Sequence, residues 1–389
     1  MRFVVVSTLV LTLVAMTNGA AHAGSGGDPF HGWLTDGEPF PEGPHHRLQH
    51  HVEKSRTYFG TAELVDGLLR AAAAVAAKHP GRKPLTVGNL SRRNGGDIEE
   101  SHTHNSGRDV DLLFFMSKLD GTPTRTRNHR FGPDGKSRRS PKRYRIDRDA
   151  NWALIEALMT DQAMGLQWLI LEPHLEVLFL THAKAQGVET EQLRRYADAM
   201  TLPPYAGPHE NHLHMRTQCA PAHWEDRCQP TGPVWPWNEQ LYPLVVAEAE
   251  RQAPRLTDPD PMVRMDALSV AWAKGLSPLL DRALPLLDDA DARVRSRARK
   301  MLHVLIDPST SAVTLRVAEG LSPTTRRLVT LWVLRRGGLA ALPIARAVTA
   351  GTHPTVSPRP NPSTLRDLQV AARRLLIREQ PIAELLGLP

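Results

Sequence analysis

The sequence predicts two folded parts: an α+β domain with a small antiparallel sheet, then an all-α domain of stacked helical repeats. Three observations predict this. Between about Tyr58 and Cys219, short apolar or alternating runs interleave with amphipathic helical patterns. After Cys228 the composition turns proline-rich in "QPTGPVWPW". Beyond Asn238 every periodic segment is helical, and one motif recurs there at a fixed spacing.

In chain order, Met1 and Arg2 give a positive start. Phe3 to Met16 is an apolar run, and Ala21-His22-Ala23 is a small-x-small site. Residues 1–23 therefore read as a secretory signal peptide. The apolar run is shorter than the roughly 20 residues a membrane span needs, and no later stretch is long and apolar enough to span. The reading is an exported soluble protein beginning near Gly24, with a first folded part over 24–228. "TAELVDGLLRAAAAVAAK" (Thr61 to Lys78) is a helix, and "PLTVGNLS" (Pro84 to Ser91) a strand. "RDVDLLFFM" (Arg108 to Met116) is a second strand. Ala150 to Met159 is a helix with Asp147 or Asp149 as its cap. "QWLIL" is a short apolar strand, Glu176 to Gln186 and Glu189 to Met200 are helices, and "NHLHMRT" (Asn211 to Thr217) alternates as a strand. Mixed strands and helices of this kind give an α+β domain.

Cys219 and Cys228 are the only cysteines. In an oxidising compartment so close a pair forms a disulfide, worth about 2–3 kcal/mol for a short loop. Lys and Arg outnumber Asp and Glu 48 to 41, a formal charge of +7. Much of it lies in Thr124 to Arg148, "TRTRNHRFGPDGKSRRSPKRYRIDR". That segment reads either as a solvated loop or as a patch drawn to an anionic surface such as cell wall. It lacks regular aromatic interleaving, which argues against nucleic acid.

A proline-rich linker is expected over 229–240 and the helical domain over 241–389. "DPDPMVRMDALSVAW", "DDADARVRSRARKML" and "SPTTRRLVTLWVL" superpose, aligning Arg264, Arg295 and Arg326 at steps of 31 residues. A weaker copy starts near Ser363. The pattern resembles HEAT-type repeats, in which helix pairs bury their faces on their neighbours. Such a stack offers an extended surface to a protein partner.

The chemistry concentrates in two stretches, "SHTHNSGRDVDLLFF" and "PHENHLHMR". Side chains two apart on a strand share a face, so His212 and His214 point one way and Leu213 and Met215 the other. His104 and Asp111 form a His-x6-Asp unit across a turn at Gly107. A His-x6-Asp unit and a His-x-His strand can together supply two imidazoles and a carboxylate, the ligand number of a catalytic zinc site. The fourth histidine is then free to act on water. The alternative is surface histidines paired with nearby carboxylates. Against it stands the cost of carboxylates on an apolar strand unless they are paired or metal-bound.

The stretches "SRTYFGTAELVDGL", "VGNLSRRNGG", "SHTHNSGRDVDL", "NWALIEALMTD", "QWLIL" and "HENHLHMRTQCAP" resemble the penicillin-insensitive murein endopeptidases, in the family's order over about Arg56 to Pro221. Those are relatives of the lysostaphin, D-Ala-D-Ala dipeptidase and hedgehog fold. The resemblance implies a Zn2+ ion held by His104, Asp111 and His214, with His212 as the base and His209 as a second catalytic histidine. His102 stands near the place of a further family histidine, two residues before the ligand rather than three. Asn89-Leu90 stands where Asp-Met or Asp-Leu is common.

The activity so implied is hydrolysis of D-alanyl-diaminopimelate cross-links in peptidoglycan by a periplasmic zinc metallopeptidase. A protonated His209 would help stabilise the oxyanion. No serine carries a matched His/Asp set. The rivals are a D,D- or L,D-carboxypeptidase on the same fold and a non-catalytic wall-binding scaffold.

Overall fold

The computed structural model of the chain describes residues 24–99, 101–203, 206–356 and 360–388. The segment read as a signal peptide lies outside the described residues. The main sheet of the first part and its longer helices run, in chain order, through β1 (His46–Leu48), α1 (Ala62–Lys78), β2 (Leu85–Val87) and β3 (Asp109–Leu113). They continue with α2 (Arg148–Thr160), β4 (Leu166–Ile170), α3 (Pro173–Ala185), α4 (Thr190–Ala199), β5 (Met200–Thr201) and β6 (His212–Thr217).

These strands form one six-stranded sheet in the order β5-β4-β6-β3-β2-β1. The four inner strands pair antiparallel. The two edge strands pair parallel to their neighbours. They are only two or three residues long, too short to show a period in sequence.

Local signals explain the element ends. Thr61 caps α1, its hydroxyl accepting from the Leu64 N–H. Asp147, rather than Asp149, caps α2 by accepting from the Ala150 N–H. The strand expected to run to Met116 stops at Leu113. The buried Asn151 side chain takes both backbone groups of Phe115, so the ladder cannot continue there. Met116–Lys118 then starts a separate three-stranded sheet. Val110, Leu112, Leu169, Leu213 and Met215 share a core with α1 and α2 residues such as Leu64, Leu68 and Leu154. The opposite sheet face is left for the polar site. Cys219 and Cys228 are bonded, stapling the chain just after β6.

The second part is helical: α5 (Tyr242–Gln252), α6 (Pro261–Lys274), α7 (Ala292–Met301), α8 (Pro323–Arg336), α9 (Leu342–Ala350) and α10 (Pro362–Leu386). The aligned segments start α6, α7 and α8 with the same device. Asp260, Asp291 and Ser322 each cap their helix through the side chain. Arg264 reaches back to the carbonyls of Asp258 and Pro259, and Arg295 to those of Asp289 and Ala290. Arg326 does the same to the Ala318 and Leu321 carbonyls. The recurring arginine thus satisfies backbone acceptors left open where the preceding turn ends.

The two parts are packed together. Leu339, Leu342, Ile382, Ala383 and Leu386 join the core beneath the sheet. Trp235 of the proline-rich segment is 1% exposed and donates its indole N–H to the Gln167 carbonyl at 2.9 Å.

Carboxyl groups collect at this seam. Burial pushes Asp198 on α4 up to about 7 and Asp307 up to about 6. Burial likewise raises Glu176 on α3 and Glu379 on α10. Their folded values lie above the unfolded ones, so the folded state binds more protons. For Asp198 and Asp307 the stability so contributed is complete below about pH 4 and is lost as pH rises through about 6–7. His209, described below, pulls the opposite way between about 4 and 6.5. The comparison with a variant therefore isolates the acid. We expect Asp198→Asn to gain stability relative to the parent as pH rises from 4 to 8, read by urea melts across that range. Parallel curves would show that Asp198 does not titrate in the folded protein.

Candidate metal centre

β3 and β6 lie side by side with His214 opposite Asp111, Arg216 opposite Asp109 and His212 opposite Leu113. Alternation along β6 sends His212, His214 and Arg216 to one face and Leu213 and Met215 into the core. His104 enters from the preceding loop, which turns at Gly107 with φ +72°. Gly88 lets the backbone after β2 close on this strand, since a Cβ there would lie 2.9 Å from the Asp111 Cβ.

His104 is fully buried. We assign its proton to Nδ1, which donates to the Leu90 carbonyl at 2.7 Å. That leaves a lone pair on Nε2. This nitrogen has no hydrogen-bond partner among the described residues and lies 3.4 Å from Asp111 Oδ1. His214 donates Nε2–H to Asp109 Oδ1 at 2.7 Å, leaving Nδ1 3.1 Å from the same Asp111 oxygen.

Two imidazole lone pairs aimed at one carboxylate repel it unless a cation sits among them. A proton can serve. Burial alone would lower the His214 pKa, but the hydrogen bonds to Asp109 and Asp111 outweigh it and carry it up to about 9. Burial would raise Asp111, yet His104 and His212 hold it well below the usual carboxylate range. A divalent metal can serve better. The ligand atoms of His104, Asp111 and His214 all lie within 4.8 Å of one another. Two nitrogens and a carboxylate oxygen suit zinc and related ions. The hydrogen bonds from His104 to Leu90 and from His214 to Asp109 are the outer partners that orient metal-bound imidazoles.

Residues 27–239, more than half of the 389-residue chain, match the model of the family described as penicillin-insensitive murein endopeptidase. The chain belongs to that family. No curated protein matches it. As a murein endopeptidase it is a hydrolase whose substrate class is peptidoglycan, and the site above lies inside the matched span.

In this murein endopeptidase a second group, His209, His212 and His214, shares His214 with the first. His212 donates Nδ1–H to Asn211 Oδ1 at 2.9 Å, so its Nε2 lone pair faces Asp111 Oδ1 at 3.3 Å. His209 donates Nδ1–H to the Gly207 carbonyl at 2.7 Å. Burial pushes its pKa down to about 4, and the nearby His212 and His214 push the same way. This favours the neutral ring, whose Nε2 carries the lone pair when Nδ1–H is donated to Gly207. His102 is exposed and belongs to neither group.

Sequence reasoning missed four partners: the Leu90 carbonyl, Asn211, Glu172, which accepts from the His209 backbone N–H at 3.1 Å, and Arg216. Arg216 donates Nε–H to the fully buried Asp109 at 2.8 Å. Its place two residues after His214 on the same face was a usable signal. Part of the basic segment holds the site in place. Arg138 pairs with Glu210, the Phe131 N–H donates to the Glu210 carbonyl, and Asn128 accepts from Asn211.

Proposed function

We propose that this chain is a zinc-dependent endopeptidase that hydrolyses the D-alanyl-diaminopimelate cross-link of peptidoglycan. The observation that carries this is the convergence of His104 Nε2 and His214 Nδ1 on Asp111. His104, Asp111 and His214 would hold the ion. When bound, it supplies a Lewis acid for the scissile carbonyl and lowers the pKa of water toward about 7.

The chain's own residues do the rest. His212 Nε2 is oriented by Asn211 to take a proton from the attacking water and return it to the leaving amine. His209, neutral and beside His212, positions that ring with centroids 4.8 Å apart. Asp109 fixes the His214 tautomer. The family's location in the cell wall and the Cys219–Cys228 bond fit an extracytoplasmic protein.

The test is the mature protein acting on dimeric muropeptides, with products identified by mass. We expect cross-link cleavage that a chelator abolishes and zinc restores. Cleavage unaffected by thorough chelation would sink the metal reading. Release of terminal D-alanine with dimers left intact would assign a carboxypeptidase instead.

A further inference from the structure

A cavity of about 1170 Å³ lies between the sheet and the helical part. Its floor is the sheet face that carries the metal centre. Trp168 and Ile170 of β4 and Arg216 of β6 line it, and Ile170 pairs in register with His214. The segment Thr201–Pro203, which leads on toward His209, closes one side. The opposite wall comes from α8 and α10 and includes Trp332, Arg335, Arg374 and Arg378. The cavity thus adjoins the candidate metal centre through Ile170, the strand neighbour of His214, and the helical part forms its far wall.

Its charge is unbalanced. Six arginines line it against two aspartates. Arg216 is committed to Asp109, and Arg378 to Glu379 and the Met200 carbonyl. Arg335 and Arg374 are exposed and make no hydrogen bond or ion pair among the described residues. One of the two aspartates is Asp198, which burial holds partly protonated near neutral pH.

Unpaired guanidinium groups around an apolar, tryptophan-lined floor suit a ligand with several carboxylates on an apolar frame. The volume exceeds the roughly 300–1,000 Å³ of ordinary small-molecule sites, so an extended chain fits better than a compact metabolite.

We propose that this cleft binds a carboxylate-bearing peptide strand of murein, with Arg335 and Arg374 holding its carboxylates. The helical part is then half of the substrate site. This rests on the murein endopeptidase reading for the identity of the peptide, and on the arginine wall for its charge.

The test uses the full mature chain and a murein tetrapeptide monomer, which lacks the cross-link bond. Binding is read by calorimetry and by tryptophan fluorescence, against the same peptide with its carboxylates amidated. The parent should prefer the carboxylated peptide by roughly tenfold or more, the effect of losing one or two charge-assisted contacts. Arg335→Glu with Arg374→Glu should abolish that preference and raise KM for dimeric muropeptides. Arg335→Lys with Arg374→Lys keeps the charge and should retain most of the binding. Equal binding of the two peptides by the parent, or unchanged binding by the glutamate variant, would overturn the proposal. Cleavage of dimers with arginine-independent binding would remove the cleft and leave the endopeptidase reading standing. Arginine-dependent binding by a parent that cleaves no murein would keep the cleft and remove that reading.

Discussion

His214→Ala should lose bound metal and cleavage together. His214 Nδ1 and His104 Nε2 are the two imidazole nitrogens that complete the ligand set with Asp111. Metal content should fall from about one ion per chain to near zero. A Lewis acid contributes several kcal/mol, and each 1.36 kcal/mol is a decade in rate, so activity should drop by about 10³-fold or more. The fold should survive, because Asp109 keeps its bond to Arg216. His212→Ala is the control. It should retain the metal and lose roughly 10²–10⁴-fold in rate, the usual worth of a general base. Metal analysis and dimer cleavage on the two variants give the answer. Stoichiometric zinc in His214→Ala would remove His214 from the ligand set.

Asp109→Asn should damage stability and metal affinity at once. Asp109 is fully buried between His214 Nε2 at 2.7 Å and Arg216 Nε at 2.8 Å. Arg216 holds its carboxyl far below the usual range against the opposing effect of burial. Neutralising it leaves Arg216, itself 4% exposed, as an uncompensated buried charge. Breaking one side of such a pair typically costs about 3–5 kcal/mol. The asparagine also loses the carboxylate that orients His214, which typically costs about 10–100-fold in metal affinity. Urea melts of the metal-free protein should show the first effect, and competition with a chromophoric chelator the second. A loss under about 1 kcal/mol with unchanged affinity would mean that Asp109 neither anchors the strand pair nor orients its histidine.

The sign of pH dependence at the centre follows from the same geometry. Without metal, His214 is held protonated up to about 9, so ion binding displaces a proton and strengthens as pH rises.

Much of the fold was legible because its signals are local. Thr61 and Asp147 sit where helix caps belong, and the His-x-His alternation alone places His212 and His214 on one face. The 31-residue step in the helical part was readable because each aligned arginine serves its own turn. What failed to show was non-local. Asn151 ends β3 from 36 residues away, and the two-residue edge strand β5 carries no period.

Spacing along the chain was enough to show which residue types could meet: a His-x6-Asp unit and a His-x-His strand, a short disulfide loop, and a helical part built on a recurring arginine. Only the tertiary structure decided which nitrogen of each histidine is free, because that depends on the Leu90 carbonyl and on Asp109. It alone joined Arg216 to Asp109 across 107 residues, through the register of β6 on β3. It also set the arginines of α8 and α10 around one cavity with Trp168 and Ile170 of the sheet, which no spacing within the chain encodes. Caps and alternation act over a few residues, whereas lone-pair direction and cleft charge depend on which distant segments pack together.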